Sequence, residues 1–434
     1  MSDETQREIA ARLVGKWEER AVYAETLLEE ELEKAALNPP DRRLVQELVY
    51  GTIRWRATLD WLIDRRTSKE RTKMPVRILL RLGLYQIFWL DRIPHHAAVH
   101  ETVEMAKRLP GADESGVINA ILRGYIRDLE ATRHELEQLK ATDPATGYSH
   151  PKWLVERWTH RFGAEKTRHL LEWNNKPPPM FARANFLKVD GATLTAVWKR
   201  EGVQFEQQEW DWTQDEDVFR LDEFPPLAQW HSFQDGYFYL QDPSTLLSVA
   251  ELDPKPGDHV LDVCAAPGGK TTLMAQRMKD RGRIFAQDLA ADRLHRVKEN
   301  CERLGVTCVE TARVSSVPLA QLRPNFQKVL LDAPCSNSGV MRRRVDVRWR
   351  IRPDELKRLR ATQRALLERA GQQVRSGGSL VYSTCSLEPE ENSEVVREFL
   401  LAHPEFRLEA ERELLPFRDG VDGAYVARFT RTTV

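Results

Sequence analysis

Cysteine is scarce in this chain, five among 434 residues, and no secretory opening precedes them: MSDETQREIA has neither a basic start nor an apolar stretch behind it. A disulfide framework is therefore not expected, and a cytoplasmic protein with reduced thiols is expected. Long hydrophobic runs are missing too. The most apolar stretch, Ile78 to Leu90, is short for a bilayer and carries Arg81, so no membrane is expected. Charge of one sign is absent, since 65 Lys and Arg face 66 Asp and Glu. Any nucleic-acid surface must then be a local patch. No metal is expected either, because no carboxylate or thiol is spaced to complete a site with His95, His96 and His100, which read as surface residues at a helix start. What is present, 41% apolar and 30% charged residues, describes a globular chain long enough for more than one core.

The first part, residues 1–140, reads as all helix. Leu44, Val45, Leu48, Val49, Ile53, Leu59, Leu62 and Ile63 recur at helical spacing, and Val76 to Leu90 is apolar on almost every face, as the central helix of a bundle would be. Residues 141–235 change character: Pro177-Pro178-Pro179 ends the helical pattern, and short mixed segments predict a small α+β module. Its aromatics, among them Trp153, Trp158, Trp173, Phe186 and Trp198, suit either base stacking or a core. Residues 236–434 alternate strand and helix, with strands at His259–Val263, Arg283–Gln287, Val306–Glu310, Gln327–Asp332 and Ser379–Ser383. That alternation predicts a doubly wound Rossmann-like α/β sheet.

Two of those strands end in cysteine turns, Ala333-Pro334-Cys335-Ser336 and Thr384-Cys385-Ser386. Side by side in a parallel sheet, they would bring both thiols to the carboxyl edge, where such sheets hold ligands. The first strand runs into Cys264-Ala265-Ala266-Pro267-Gly268-Gly269-Lys270-Thr271, small residues that let a ligand approach backbone at a helix start. A phosphate loop shares the Gly-Lys-Thr ending but needs glycine where Cys264 stands. Asp288, ending the second strand, is placed to take both hydroxyls of a ribose, which favours an adenosine-containing cofactor. After the first cysteine turn, Arg342, Arg343, Arg344, Arg348 and Trp349 form a basic stretch with an aromatic, suited to position RNA phosphates and stack a base.

The segments LDVCAAPGGKTT (Leu261–Thr272), LDAPCSNSGVMRR (Leu331–Arg343) and YSTCSLEPEEN (Tyr382–Asn392) closely resemble three motifs of the Sun/Fmu type RNA (cytosine-5) methyltransferases. Asp41-Arg42-Arg43, Tyr50-Gly51, Arg54, Leu59-Asp60, Leu82 to Gln86, Ile93-Pro94-His95 and Asn119 to Arg123 resemble a NusB-like helical domain, which in its family binds RNA or proteins. The resemblance spans essentially the whole chain. It implies a class I methyltransferase that uses S-adenosyl-L-methionine on ribosomal RNA, 16S first, with both earlier domains serving RNA binding. It also implies Cys385 as the thiol that attacks cytosine C6, Cys335 as the residue that releases the product, Asp332 on the ring edge, and Lys270 assisting. Cofactor contacts are implied at Cys264, Ala265, Ala266, Pro267, Gly268, Gly269, Lys270, Asp288, Thr311 and Asp332.

Three departures stand out. Thr311 occupies the place where the family usually has a carboxylate near the adenine, so either Glu310 substitutes or the cofactor is held less tightly. Val345 replaces the usual proline before Asp346, and Asn337-Ser338 replaces a Gly-Thr or Ala-Thr pair, a change expected to matter little. Readings still open are the same chemistry on transfer or 23S RNA, and a non-catalytic RNA-binding assembly factor. No self-complementary apolar stripe is seen, so a monomer is expected.

Overall fold

The computed structural model describes residues 4–19, 22–34, 37–67, 72–108, 114–314 and 325–432. The chain forms two compact units, one of residues 1–176 with 341–350, the other of residues 177–340 with 351–434.

The first unit is helical. Its centre is the helix Met74–Trp89, in which Val76 through Ile87 are all buried, so the uniformly apolar stretch is the inner helix of the bundle. Two arginines go in with it. Arg81, 2% exposed, is held by Asp60 at 2.7 Å and Glu18 at 2.5 Å, and Arg77 by Asp60 at 2.8 Å, so the buried charges are paired. Residues 341–350 complete this unit: Val345 joins its apolar core, and Asp346 accepts from Trp17 Nε1 at 3.3 Å and from the Ala24 amide at 2.8 Å.

The second unit holds two sheets. The smaller is antiparallel, with β1 (Met180–Ala184), β2 (Gln204–Gln208), β3 (Val218–Glu223) and β4 (Phe238–Leu240) in the order β2-β3-β1-β4. Trp198, from the helix Gly191–Glu201, fills its core and meets Phe205, Phe219, Trp230 and Phe238 within 6.1 Å centroid to centroid. Trp158 and Trp198 are fully buried, so these two aromatics are core and unavailable for stacking on a base.

The larger sheet contains β5 (His259–Val263), β6 (Arg283–Asp288), β7 (Val309–Arg313), β8 (Phe326–Asp332), β9 (Val374–Thr384), β10 (Phe406–Leu414) and β11 (Ala424–Arg431), in the order β10-β11-β9-β8-β5-β6-β7. From β9 to β7 every pair is parallel, while β11 runs antiparallel to both β9 and β10. Helices Gly269–Arg277, Ala291–Leu304 and Pro353–Gln373 make the crossovers. β7 begins later than the expected Val306, because Gly305 caps the preceding helix and the Thr307 and Cys308 amides bond the Asp280 carboxylate instead of a strand.

Candidate active site

β8 and β9 pair in parallel with Asp332 level with Ser383, and the Ala333 amide extends the ladder to the Ser383 carbonyl at 2.8 Å. Both chains therefore leave the sheet at the same edge. The outcome is a contact between the two sulfurs, Cys335 Sγ to Cys385 Sγ at 3.2 Å, with both thiols free. The hydrogen bond with Cys385, then burial, then the charges of Cys385 and Glu391 push the Cys335 thiol well above its ordinary range.

Asn337 and Ser338 both engage the second cysteine turn. Asn337 sits in the left-handed region (φ 60°), accepts from the Cys385 thiol at 3.1 Å, and donates to the Cys335 carbonyl at 2.9 Å. The buried Ser338 hydroxyl accepts the Leu387 amide at 2.8 Å. Both side chains thus tie one thiol turn to the other.

Lys270 stands on the first turn of Gly269–Arg277 and reaches Asp332 Oδ2 at 2.5 Å, while Ser383 Oγ donates to Oδ1 at 2.9 Å. Burial works against the ammonium, but Asp332 outweighs it and the lysine is held charged. A cation and a carboxylate therefore stand at the edge that carries the thiols.

The turn after β5 is built for close approach. Cys264 takes a left-handed φ of 65° and Gly268 one of 104°, and a Cβ on Gly268 would meet Val297 Cα at 3.2 Å. Ala265 and Gly268 are buried, Pro267 is exposed, and Cys264, Ala266 and Lys270 are half-buried. Burial pushes the Cys264 thiol up to about 12, so it is an inert lining residue. Asp288, ending β6, reaches across the turn to accept the Ala266 amide at 3.1 Å, with Arg293 at 3.2 Å.

Two residues not singled out from sequence belong to this place. Asp262 in β5 is 1% exposed; Thr271 Oγ1 donates to its Oδ2 at 2.6 Å, and its Oδ1 has no hydrogen-bond partner. A carboxylate inside the apolar run LDV was the available signal. Leu289, directly after Asp288, is 70% exposed, an apolar face beside that carboxylate.

Thr311 lies within β7, level with Ala286, and lines a pocket of about 260 Å³ with Ala291, Leu294, His295, Lys298 and Arg313. Glu310 does not substitute for it. Alternation turns Glu310 to the other face, where it meets Arg283 at 3.6 Å near His259, and the residue level with Asp288 is Arg313.

The basic stretch divides. Arg348 is fully buried in the helical unit, donating to the carbonyls of Ser149 at 3.2 Å and Asn174 at 2.9 Å and to Asn175 Oδ1 at 2.7 Å. Arg342 is 2% exposed with its guanidinium 3.9 Å from the Trp173 ring centroid, and Trp349 donates to the Ile53 carbonyl at 2.7 Å. The expectation that these three face RNA is corrected: Arg342 and Arg348 are buried within the unit, and the Trp349 indole N–H is bonded there. Arg343 is half-buried and Arg344 exposed.

A parallel sheet wound in this order, opening a small-residue turn beside a carboxylate at the end of the next strand, defines the Rossmann-like methyltransferase class. Residues 249–430 match the model of the 16S rRNA methyltransferase RsmB/F family, residues 4–127 the NusB family, and residues 150–214 the RsmF/B-like, ferredoxin-like domain. The chain is 35% identical over 428 residues to the probable ribosomal RNA small subunit methyltransferase B of Bacillus subtilis, covering 95% of this chain and 94% of that one. With the ribosomal RNA small subunit methyltransferase B of Vibrio cholerae it shares 36% over 400 residues, 90% of each. Among solved structures, PH0851 superposes with a TM-score of 0.79 at 25% identity over 99% of both chains. A methyltransferase homologue from Pyrococcus horikoshii gives 0.59 at 31% identity over 67% of this chain and 98% of that one. The chain belongs to the 16S rRNA methyltransferase RsmB/F family. Among the described residues no helix is long and apolar enough to cross a membrane.

Proposed function

We propose that the protein methylates C5 of a cytosine in 16S ribosomal RNA, through a covalent adduct between Cys385 and C6 of the ring. The observation that carries this reading is the pair of sulfurs 3.2 Å apart at the ends of adjacent parallel strands, with the Lys270-Asp332 pair at the same edge. C5 of cytosine is too weak a nucleophile to take a methyl group unaided, and addition of a thiolate at C6 pushes electrons onto it. S-adenosylmethionine, when bound, supplies an electrophilic methyl group. The residues present fit it: Asp262 Oδ1 is a buried acceptor without a partner, suited to an ammonium, and Asp288 and Leu289 offer a carboxylate for the ribose and an apolar face for the adenine.

Cys385 forms the carbon-sulfur bond, and Lys270 and Asp332 hold the ring edge and the charge arriving there. Cys385 gives up its thiol proton to solvent as its sulfur adds to C6. With the carbon-sulfur bond formed, Cys335 passes its own thiol proton to solvent and, as the thiolate, takes the C5 proton. Electrons from the broken C5–H bond then expel Cys385 and regenerate the free thiolate. Arg344 and Arg343 are assigned to RNA phosphates.

The test uses purified protein, tritiated S-adenosylmethionine and unmethylated 16S RNA, with 5-methylcytosine as the product. Cys385→Ala abolishes product and adduct; Cys335→Ala leaves a protein-RNA species that survives a denaturing gel. Product formed by Cys385→Ala removes the nucleophile from this reading. Bisulfite mapping of RNA from a deletion strain locates the base, and a mark lost from transfer or 23S RNA moves the substrate there.

A further inference from the structure

Behind the thiols lies a carboxylate that the chemistry above does not use. Glu391, fully buried on the short turn Pro389–Glu391, accepts the Ser336 amide at 2.8 Å and Gln363 Nε2 at 3.0 Å on Oε1. Its Oε2 accepts Ser336 Oγ at 2.5 Å and, closer still, Ser386 Oγ. Ser336 directly follows Cys335, and Ser386 directly follows Cys385. Gln363 also donates to the carbonyl of Pro334, the residue before Cys335, at 2.9 Å. The Glu391 carbonyl is fixed in turn by Tyr382 OH at 2.6 Å.

A solitary buried carboxylate is costly, and this one is tolerated because its lone pairs are filled. Burial pushes it above its ordinary range, and the serine bonds pull the other way. Charge-assisted bonds of this kind are short and stiff, so both ends of the contact are defined. The identity of the donors is informative: a carboxylate that merely filled space would have no reason to collect the residue adjoining each reactive sulfur.

We propose that Glu391 is a positioning residue for both thiols, clamping the Cys335 and Cys385 turns through Ser336 and Ser386 and so setting the sulfur-to-sulfur distance. The roles given to the thiols rest on the covalent-adduct reading; the clamp itself rests on geometry alone. The arrangement divides by turn. Removing the Ser386 hydroxyl loosens the attacking sulfur, removing the Ser336 hydroxyl loosens the releasing one, and changing Glu391 loosens both.

The experiment compares the full-length wild type with Glu391→Gln, Ser336→Ala and Ser386→Ala in two assays. In the first, diamide joins Cys335 to Cys385, the thiols losing their hydrogens to the diazene, which becomes the hydrazine, and mass spectrometry follows the link. Glu391→Gln is expected to form it about 10- to 100-fold more slowly, the scale set by displacing reacting atoms by about 1 Å. In the second, single-turnover gels follow the protein-RNA adduct. Ser386→Ala slows its appearance, Ser336→Ala lets it appear at the wild-type rate and accumulate, and Glu391→Gln does both. Cross-linking of Glu391→Gln at the wild-type rate, or equal slowing of the same step by the two serine variants, overturns the clamp. Should Glu391→Gln not fold, the division between the serine variants decides. Slowed cross-linking with no adduct from any form, Cys335→Ala included, supports the clamp and overturns the covalent reading.

Discussion

Replacing Asp262 with asparagine tests the buried floor of the proposed cofactor site. Burial carries this carboxyl from its ordinary 3.8 up to about 7, with the Thr271 hydroxyl pulling it down and the Asp332 charge adding to the rise. A carboxyl raised by folding binds its proton more tightly in the folded chain than in the unfolded one. Its contribution to stability is therefore complete below its unfolded value, declines as pH rises from about 4 to about 7, and is constant above. At 1.36 kcal/mol per decade, a rise of about three decades corresponds to about 4 kcal/mol, an upper bound because neighbouring groups relax. Asparagine has no such proton, so Asp262→Asn should gain on the wild type by up to about 4 kcal/mol between acid and mildly alkaline pH. Urea denaturation of both proteins across that range reads the gap, and profiles that stay parallel refute the argument. Ligand binding gives the opposite sign. An ammonium pairs only with the ionised carboxyl, so calorimetric affinity for S-adenosylhomocysteine should rise through about pH 7 in the wild type and stay flat in the variant.

Other outcomes follow from the divided basic stretch and the small sheet. Arg344→Ala should lower the slope of log affinity for RNA against log salt by about 1, since Arg344 is exposed, and an unchanged slope removes it from the phosphate contacts. Arg348→Ala should leave that slope alone and destabilise the helical unit by on the order of 3 kcal/mol through orphaned carbonyls, measured as a lower thermal midpoint. Trp198→Ala should cost about 3–5 kcal/mol by emptying the centre of the small sheet, and denaturant titration checks it.

β5 and β8 were legible almost residue for residue, because a buried parallel strand is a continuous apolar run between turn residues. β10 and β11 escaped. FRLEAEREL and AYVARFTR mix charge into half-exposed antiparallel strands and resemble surface chain. β7 was set too early because Val306 and Cys308 are apolar, whereas the amides around them are claimed by Asp280, a partner remote in sequence. The same limit governs the arginines. A guanidinium facing carbonyls and one facing phosphate leave the same letter in a sequence, so Arg344 and Arg348 looked alike until their surroundings were seen. Glu391 was hidden in an acidic run that reads as solvated surface, and only the fold brings Ser336 to it.

The ten-residue excursion of 341–350 into the helical unit means that this unit is not a contiguous piece of gene. An excised fragment ending at Lys176 would lack the carboxylate that Trp17 and Ala24 hold, the guanidinium that ties Ser149 to Asn174, and an apolar plug at Val345. Chimeras that trade front halves between relatives would inherit the same mismatch unless this short passage travels with its host. Recombination within such a lineage is thereby constrained to exchange two separated stretches at once.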